Sequence, residues 1–232
     1  MSKPITVIVG VGDGLSASCA RAFAAEGHDL VLAARDTGKL GALAEGTGAR
    51  LMQCNGADPA SVAALFDAID GEIRVAIYNP SRRVRGGVAD LDPEEVREAV
   101  EITAFGAFLT GQQAARRMQA QDPVNGVKGT ILFTGASAGI KGFPQSATFA
   151  MGKFAQRGLA QAMARELHPQ GIHVAWVNID GAIRNPGRTE PAESPDSMLD
   201  PDAIARSYVQ IAQQDRSAWS DEITLRPWVE RF

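Results

Sequence analysis

Residues Ile5-Thr6-Val7-Ile8-Val9 run directly into Gly10-Val11-Gly12-Asp13-Gly14, and the segment from Leu15 to Glu26 follows. The β-branched run reads as a buried parallel strand. Three alternating glycines let the backbone turn sharply and leave no Cβ in the way of a ligand. Leu15, Cys19 and Phe23 recur every four residues, which places them on one face of a helix. Gly27 supplies the stop at its C-terminal end. Strand, glycine turn and helix together present free backbone N–H groups and a helix N-terminus to a pyrophosphate. Gly10, Gly12, Asp13, Gly14 and Leu15 are therefore candidate phosphate-binding residues. An ordinary tight turn has the same glycine content, but a second strand at Asp29–Ala34 completes a nucleotide-binding unit.

Outward from this stretch, strands and helices alternate almost to the end. Strands are expected at Ile5–Val9, Leu30–Ala34, Arg50–Cys54, Val75–Tyr78, Thr130–Phe133, Val174–Val177 and Glu222–Leu225. Asp58-Pro59, Asp92-Pro93 and Asp200-Pro201 each pair an N-cap with proline at the first helical position. His168-Pro169-Gln170-Gly171 ends a long helix that starts near Ala147. The pattern is that of a three-layer, doubly wound parallel sheet of about seven strands, an α/β fold of the Rossmann-like kind. Residues 1–232 read as one domain. The Pro- and Gly-bearing stretch Asn185–Asp200 reads as a flexible loop beside a site. Gln121–Lys128 reads as a surface loop.

Composition sets further bounds. The 232 residues are enough for a full core, with 45% hydrophobic residues and a net charge of −4. That balance argues against nucleic acid or an anionic membrane as the main partner. Cys19 and Cys54 lack metal-type spacing and read as buried free thiols, so no metal is expected. The N-terminal apolar run is shorter than a secretory or membrane segment, and a cytoplasmic location is expected.

The cofactor is read from the end of the second strand, where a ribose-binding acid belongs about twenty residues past the glycines. Ala34 and then Arg35 stand there. A small residue followed by a cation leaves room for a 2′-phosphate and offers a partner for it. NADP(H) is preferred on this ground. Asp36 keeps NAD(H) open, and both residues also fit a solvated turn.

By its motifs the chain resembles the short-chain dehydrogenases/reductases over nearly its whole length. Gly10 and Gly14 fall on the first two glycines of that family's TGxxxGxG turn, and Ser16 replaces the third. Asn55 stands at the polar position beside the adenine. Tyr78-Asn79-Pro80-Ser81 occupies the NNAG position and keeps Asn79. Asp180-Gly181-Ala182-Ile183 occupies the PG-x-I segment, which implies that the backbone around Gly181 and Ile183 meets the nicotinamide. The tail Leu225-Arg226-Pro227-Trp228 resembles one subgroup.

The resemblance also implies a catalytic Asn-Ser-Tyr-Lys set, in which the lysine lowers the tyrosine pKa and holds the nicotinamide ribose. Here Lys153 matches the lysine. Phe149 replaces the tyrosine, Ala136 the serine and Thr103 the asparagine. A phenyl ring has no proton to give, and loss of a general acid costs a factor of about 10²–10⁴. Ser137, beside Ala136, is the candidate substitute. Ser146, Thr148 and Tyr78 are weaker ones: the first two read as capping or loop hydroxyls, Tyr78 as a packed ring with a wet tip. His28, His168 and His173 read as solvated structural residues.

Arg82, Arg83 and Arg85 follow the fourth strand, and Arg184 and Arg188 enter the flexible loop. They read as a solvated surface or, alternatively, as a site for an anionic small-molecule substrate. The helices at about Thr103–Gln119 and Ala147–Leu167 carry apolar residues on more than one face. In the resembled family they form a dimer contact, which implies a homodimer or homotetramer. Two functions stay open: an oxidoreductase acting on a small carbonyl or alcohol, and a catalytically altered NADP(H)-binding protein acting as a sensor or assembly partner.

Overall fold

A computed structural model describes residues 3–230 of the protein. Seven strands form one parallel sheet: β1 (Ile5–Val9), β2 (Asp29–Ala34), β3 (Arg50–Gln53), β4 (Ile73–Tyr78), β5 (Gly129–Thr134), β6 (Ile172–Ile179) and, last in sequence, β9 (Glu222–Leu225). Their order is β3-β2-β1-β4-β5-β6-β9. β1 is an interior strand, buried throughout, and it pairs with β2 on one side and β4 on the other. The chain therefore reverses its direction of winding between β1 and β4. A crevice opens at the C-terminal ends of these strands, where such folds bind ligands.

Alternating side chains build the two cores. Val7, Val9, Tyr78, Phe133 and Trp176 pack with Phe66 of α3 (Pro59–Asp67) and with α5 (Gly106–Gln119) and α6 (Ala147–Leu167). Ile8, Leu32, Ile77 and Leu132 pack with α1 (Leu15–Ala25) and with Tyr208 of α7 (Pro201–Ala212). The three Asp-Pro helix starts form as the sequence indicates. Asp58 accepts from Ser61 N, Asp92 from Glu94 N, and Asp200 from Asp202 N, at 2.8, 2.8 and 2.9 Å. α6 ends through a short 3-10 turn at Gly171, whose φ is +82°.

Three expectations need correction. The helix expected from Thr103 begins earlier: α4 (Pro93–Val100) passes through a π-helical turn at Glu101–Phe105 into α5. Tyr78 OH donates to Ile102 O within this turn. The tip of Tyr78 is thus buried and bonded rather than wet. His173 is not solvated either. It is fully buried, its ring stacked on Trp219 at 4.8 Å between centroids. Its Nε2 donates to Ser220 O at 2.9 Å.

The loop after β6 is closed at its base by a two-residue parallel ladder between β7 (Ala182–Ile183) and β8 (Met198–Leu199). The Gln121–Lys128 segment is a tight surface hairpin, pinned by Arg74 donating to Asp122 O, Val127 O and Lys128 O. No helix among the described residues is long and apolar enough to cross a membrane.

Candidate active site

The glycine turn is held from three sides. Gly10 N and Val11 N donate to Ala33 O at 2.9 and 3.1 Å, continuing the sheet past β1. Gly10 has φ +83°, and a Cβ there would lie 2.4 Å from the Pro80 ring. Only glycine meets both demands. Ser16 Oγ donates to Gly10 O at 3.0 Å and accepts from Asn79 Nδ2 at 2.6 Å. The residue that departs from the family's third glycine therefore latches the turn to the end of β4. Ala17 N, in the first turn of α1, donates to Gly14 O at 3.0 Å, and Gly14 and Leu15 at the start of α1 line the crevice.

The crevice has two parts. One cavity of about 410 Å³ is lined by Gly10, Arg35, Asp36, Asn55, Tyr78 and Ser81, among others. A second, of about 300 Å³, is lined by Gly14, Leu15, Asn79, Ala136, Lys153, Gly181, Ile183, Asn185 and Arg188. Ser81 lines both, so they adjoin at the tip of β4. Gly12 and Asp13 stand exposed, and Asp13 lines a separate shallow cavity with Arg21 and Lys39. Asp36 Oδ1 accepts from Gly38 N at 2.9 Å, which turns the carboxylate back on its own loop. Arg35 is exposed, and only its backbone is tied, accepting from Gln53 Nε2 at 3.0 Å.

Lys153 closes the inner end of the second cavity and is only 2% exposed. Its ammonium donates to Thr134 O and to Gln156 Oε1. Neither partner is charged, and burial lowers its pKa to about 7. Gln156 also accepts from Trp176 Nε1 and donates to Thr103 O, each at 3.3 Å. The Lys153–Gln156–Thr103 chain was not read from the sequence, although the three-residue spacing of Lys153 and Gln156 on α6 was a usable signal.

The remaining tetrad positions are distributed unevenly. Ala136 lines the cavity wall. Ser137, half-buried, begins a 3-10 turn whose backbone accepts from Ile140 N and Lys141 N. It is not among the residues lining the Lys153 cavity. Thr103 is fully buried, its Oγ1 capping Arg82 N at 3.1 Å. Thr148 Oγ1 donates to Val84 O at 2.8 Å and accepts from Val84 N at 3.2 Å, pinning the loop after β4 to α6. Phe149 is half-buried beside Lys153.

Among the described residues, no group of three or more His, Cys, Asp or Glu side chains could hold a metal ion. The adjoining cavities, the bare glycine turn and the exposed Arg35 fit a phosphorylated dinucleotide, and Lys153 fits a ribose hydroxyl.

The sequence profile of the short chain dehydrogenase family matches residues 4–190. Trans-4-hydroxycyclohexanecarboxylate dehydrogenase of Sinomonas cyclohexanicum is 30% identical over 202 residues, covering 80% of this chain and 74% of the relative. A short-chain dehydrogenase from Rhodopseudomonas palustris superposes with a TM-score of 0.82 at 32% identity, covering 98% of this chain and 100% of the other. A metagenomic short-chain oxidoreductase in complex with NADP superposes with a TM-score of 0.83 at 23% identity, over 98% of each chain. With the parallel sheet, the glycine turn and the buried lysine all in the family's places, the chain belongs to the short-chain dehydrogenases/reductases.

Proposed function

We propose that the protein is an NADP(H)-dependent oxidoreductase acting on a small carbonyl or alcohol. The observation that carries this reading is the pair of adjoining cavities with Arg35 at one end and buried Lys153 at the other. Arg35 is poised to hold a 2′-phosphate, while one carboxylate oxygen of Asp36 is engaged by Gly38 N. The metagenomic relative binds NADP within the same fold. Bound here, NADP(H) would supply or accept the hydride.

The chain's own residues do the rest. The glycine turn and the start of α1 hold the phosphates through backbone N–H groups. Lys153 grips a ribose hydroxyl, using a donor beyond those given to Thr134 and Gln156. Phe149 and Ala136 give an apolar wall where the family has hydroxyls. The proton must therefore come from Ser137, after a shift of its turn, or from water. Phe105, Phe108, Met151 and Phe154 stand between 40% and 53% exposed on the π-helical turn, α5 and α6, and we take this face to pair with a second copy.

Fluorescence titration with NADPH and NADH, followed by a carbonyl panel read by NADPH consumption, tests the function. Micromolar or tighter NADPH binding with turnover supports it. The same binding without turnover on any carbonyl favours the second reading, a catalytically altered NADP(H)-binding protein, for which the apolar wall is the structural argument. No binding of either nucleotide overturns both.

A further inference from the structure

Several arginines at this edge of the sheet are matched to carboxylates. Arg82 pairs with Glu95 and Glu98, Arg184 with Asp200, and Arg226 with Asp180. Arg83, Arg85 and Arg188 differ: none forms an ion pair among the described residues. They come from the loop after β4 and the loop after β7, about a hundred residues apart in sequence; Arg188 lines the Lys153 cavity, and Arg83 stands over the Phe149 ring, which lies beside Lys153. The Arg83 guanidinium lies over the Phe149 ring, with Cζ 5.3 Å from its centroid. Its Nη2 is 3.5 Å from the buried Ser146 Oγ. Arg188 lines the cavity itself, its backbone locked by reciprocal bonds with Asn185 at 2.9 and 3.2 Å.

The three cations feel one another. Partial burial lowers the pKa of Arg83, and the charges of Arg85 and Arg188 lower it further. Like charges gathered without a counter-ion repel, and an arriving anion relieves that cost. A planar guanidinium fork matches a carboxylate in two parallel hydrogen bonds. The cavity beside it is small, and its neighbouring ring is apolar.

We propose that Arg83 and Arg188 bind a carboxylate on the substrate, with the Phe149 ring packing against the substrate's apolar body. This deepens the carbonyl or alcohol reading and rests on it for turnover, though not for binding. The cyclohexanecarboxylate in the name of the Sinomonas relative is a ligand of this chemistry and guides the choice of probe.

The test is calorimetric titration of the full chain with cyclohexanecarboxylate and with its neutral amide, with and without NADPH. The acid should bind at least about tenfold more tightly than the amide, the scale of a charge-assisted hydrogen-bonded pair. Added salt should weaken the acid alone. Arg83→Gln and Arg188→Gln should each shrink the gap to less than about threefold, and Arg83→Gln, which lies outside the lining of the cofactor cavities, should leave NADPH affinity intact. Arg83→Lys, which keeps the charge and loses the fork, should fall between. Circular dichroism of each variant shows that it is folded.

Equal binding of acid and amide overturns the proposal, as does failure of the acid to bind at all. So does a rise in the NADPH dissociation constant in both Gln variants, because the arginines would then serve the cofactor phosphates. In parallel, 4-oxocyclohexanecarboxylate and its amide are offered with NADPH. Selective binding of the acid without reduction of either ketone counts against the reductase reading alone.

Discussion

The Lys153 ammonium lies 5.9 Å from the centroid of the Phe149 ring. A cation at that distance from a ring face is attracted by its quadrupole. The two residues are four apart on α6, so their side chains stack on one face. The same spacing sets lysine beside tyrosine in the family at large. The local geometry for an activated phenol is therefore present here without the phenol.

Restoring the missing hydroxyls should raise reductase turnover. Phe149→Tyr combined with Ala136→Ser is expected to increase kcat about 10²–10⁴-fold on any carbonyl that the wild type reduces slowly. Stopped-flow NADPH consumption checks this. No gain in the double variant would mean that the cavity no longer presents a carbonyl to this wall.

Arg35 should set the choice of coenzyme. Arg35→Ala removes the cation that a 2′-phosphate would meet and is expected to weaken NADPH by about 1.5–3 kcal/mol, roughly 10- to 100-fold, as for hydrogen bonds to charged groups. NADH affinity should change little. Parallel fluorescence titrations of both nucleotides decide the point, and equal losses would remove Arg35 from the phosphate site.

Two buried bases make stability depend on pH. His173 is held below its ordinary value, at about 4, chiefly by burial. Burial likewise brings Lys153 to about 7. In each case the unfolded chain binds a proton that the folded one refuses, so stability rises with pH across the window. For His173 the window runs from about 4 to 6.5, and for Lys153 from about 7 to 10.5. Urea unfolding at stepped pH should show His173→Gln losing the acid slope and Lys153→Met losing the alkaline one. Each slope contributes up to about 1.4 kcal/mol per pH unit. Unchanged slopes would show that these groups are solvated.

The exposed apolar face should be an interface. Phe154 is 44% exposed and Met151 53% exposed, and neither is needed to cover this chain's own core. Phe154→Glu is expected to convert a dimer or tetramer to a smaller species without loss of helical signal. Light scattering after size exclusion gives the mass directly. A wild-type monomer would sink the prediction.

Much of this architecture is local and therefore legible. The periods of two and 3.6 fix which residues face a sheet or a helix. The Asp-Pro starts and the glycine turn are short-range chemistry, so β1, its turn and α1 emerge from a single stretch. The identities at residues 103, 136, 149 and 153 are likewise plain in the chain. The π-helical turn at Glu101–Phe105 is not, because it answers to contacts with Tyr78 and Gly152, which lie far away in sequence. His173 looks like a polar residue at a strand start, yet it is buried because Trp219, from beyond α7, covers it.

What the sequence determined by itself is the winding of the sheet, the place of the dinucleotide crevice and the absence of a phenol at residue 149. Only the tertiary structure decided how its charges behave. Lys153 has its pKa lowered to about 7 because β5 and α6 bury it among neutral partners. Arg83 and Arg188 come near one another because two loops distant in sequence meet beside Phe149 and the Lys153 cavity. Dielectric and charge proximity are properties of space, and segments distant along the chain set them.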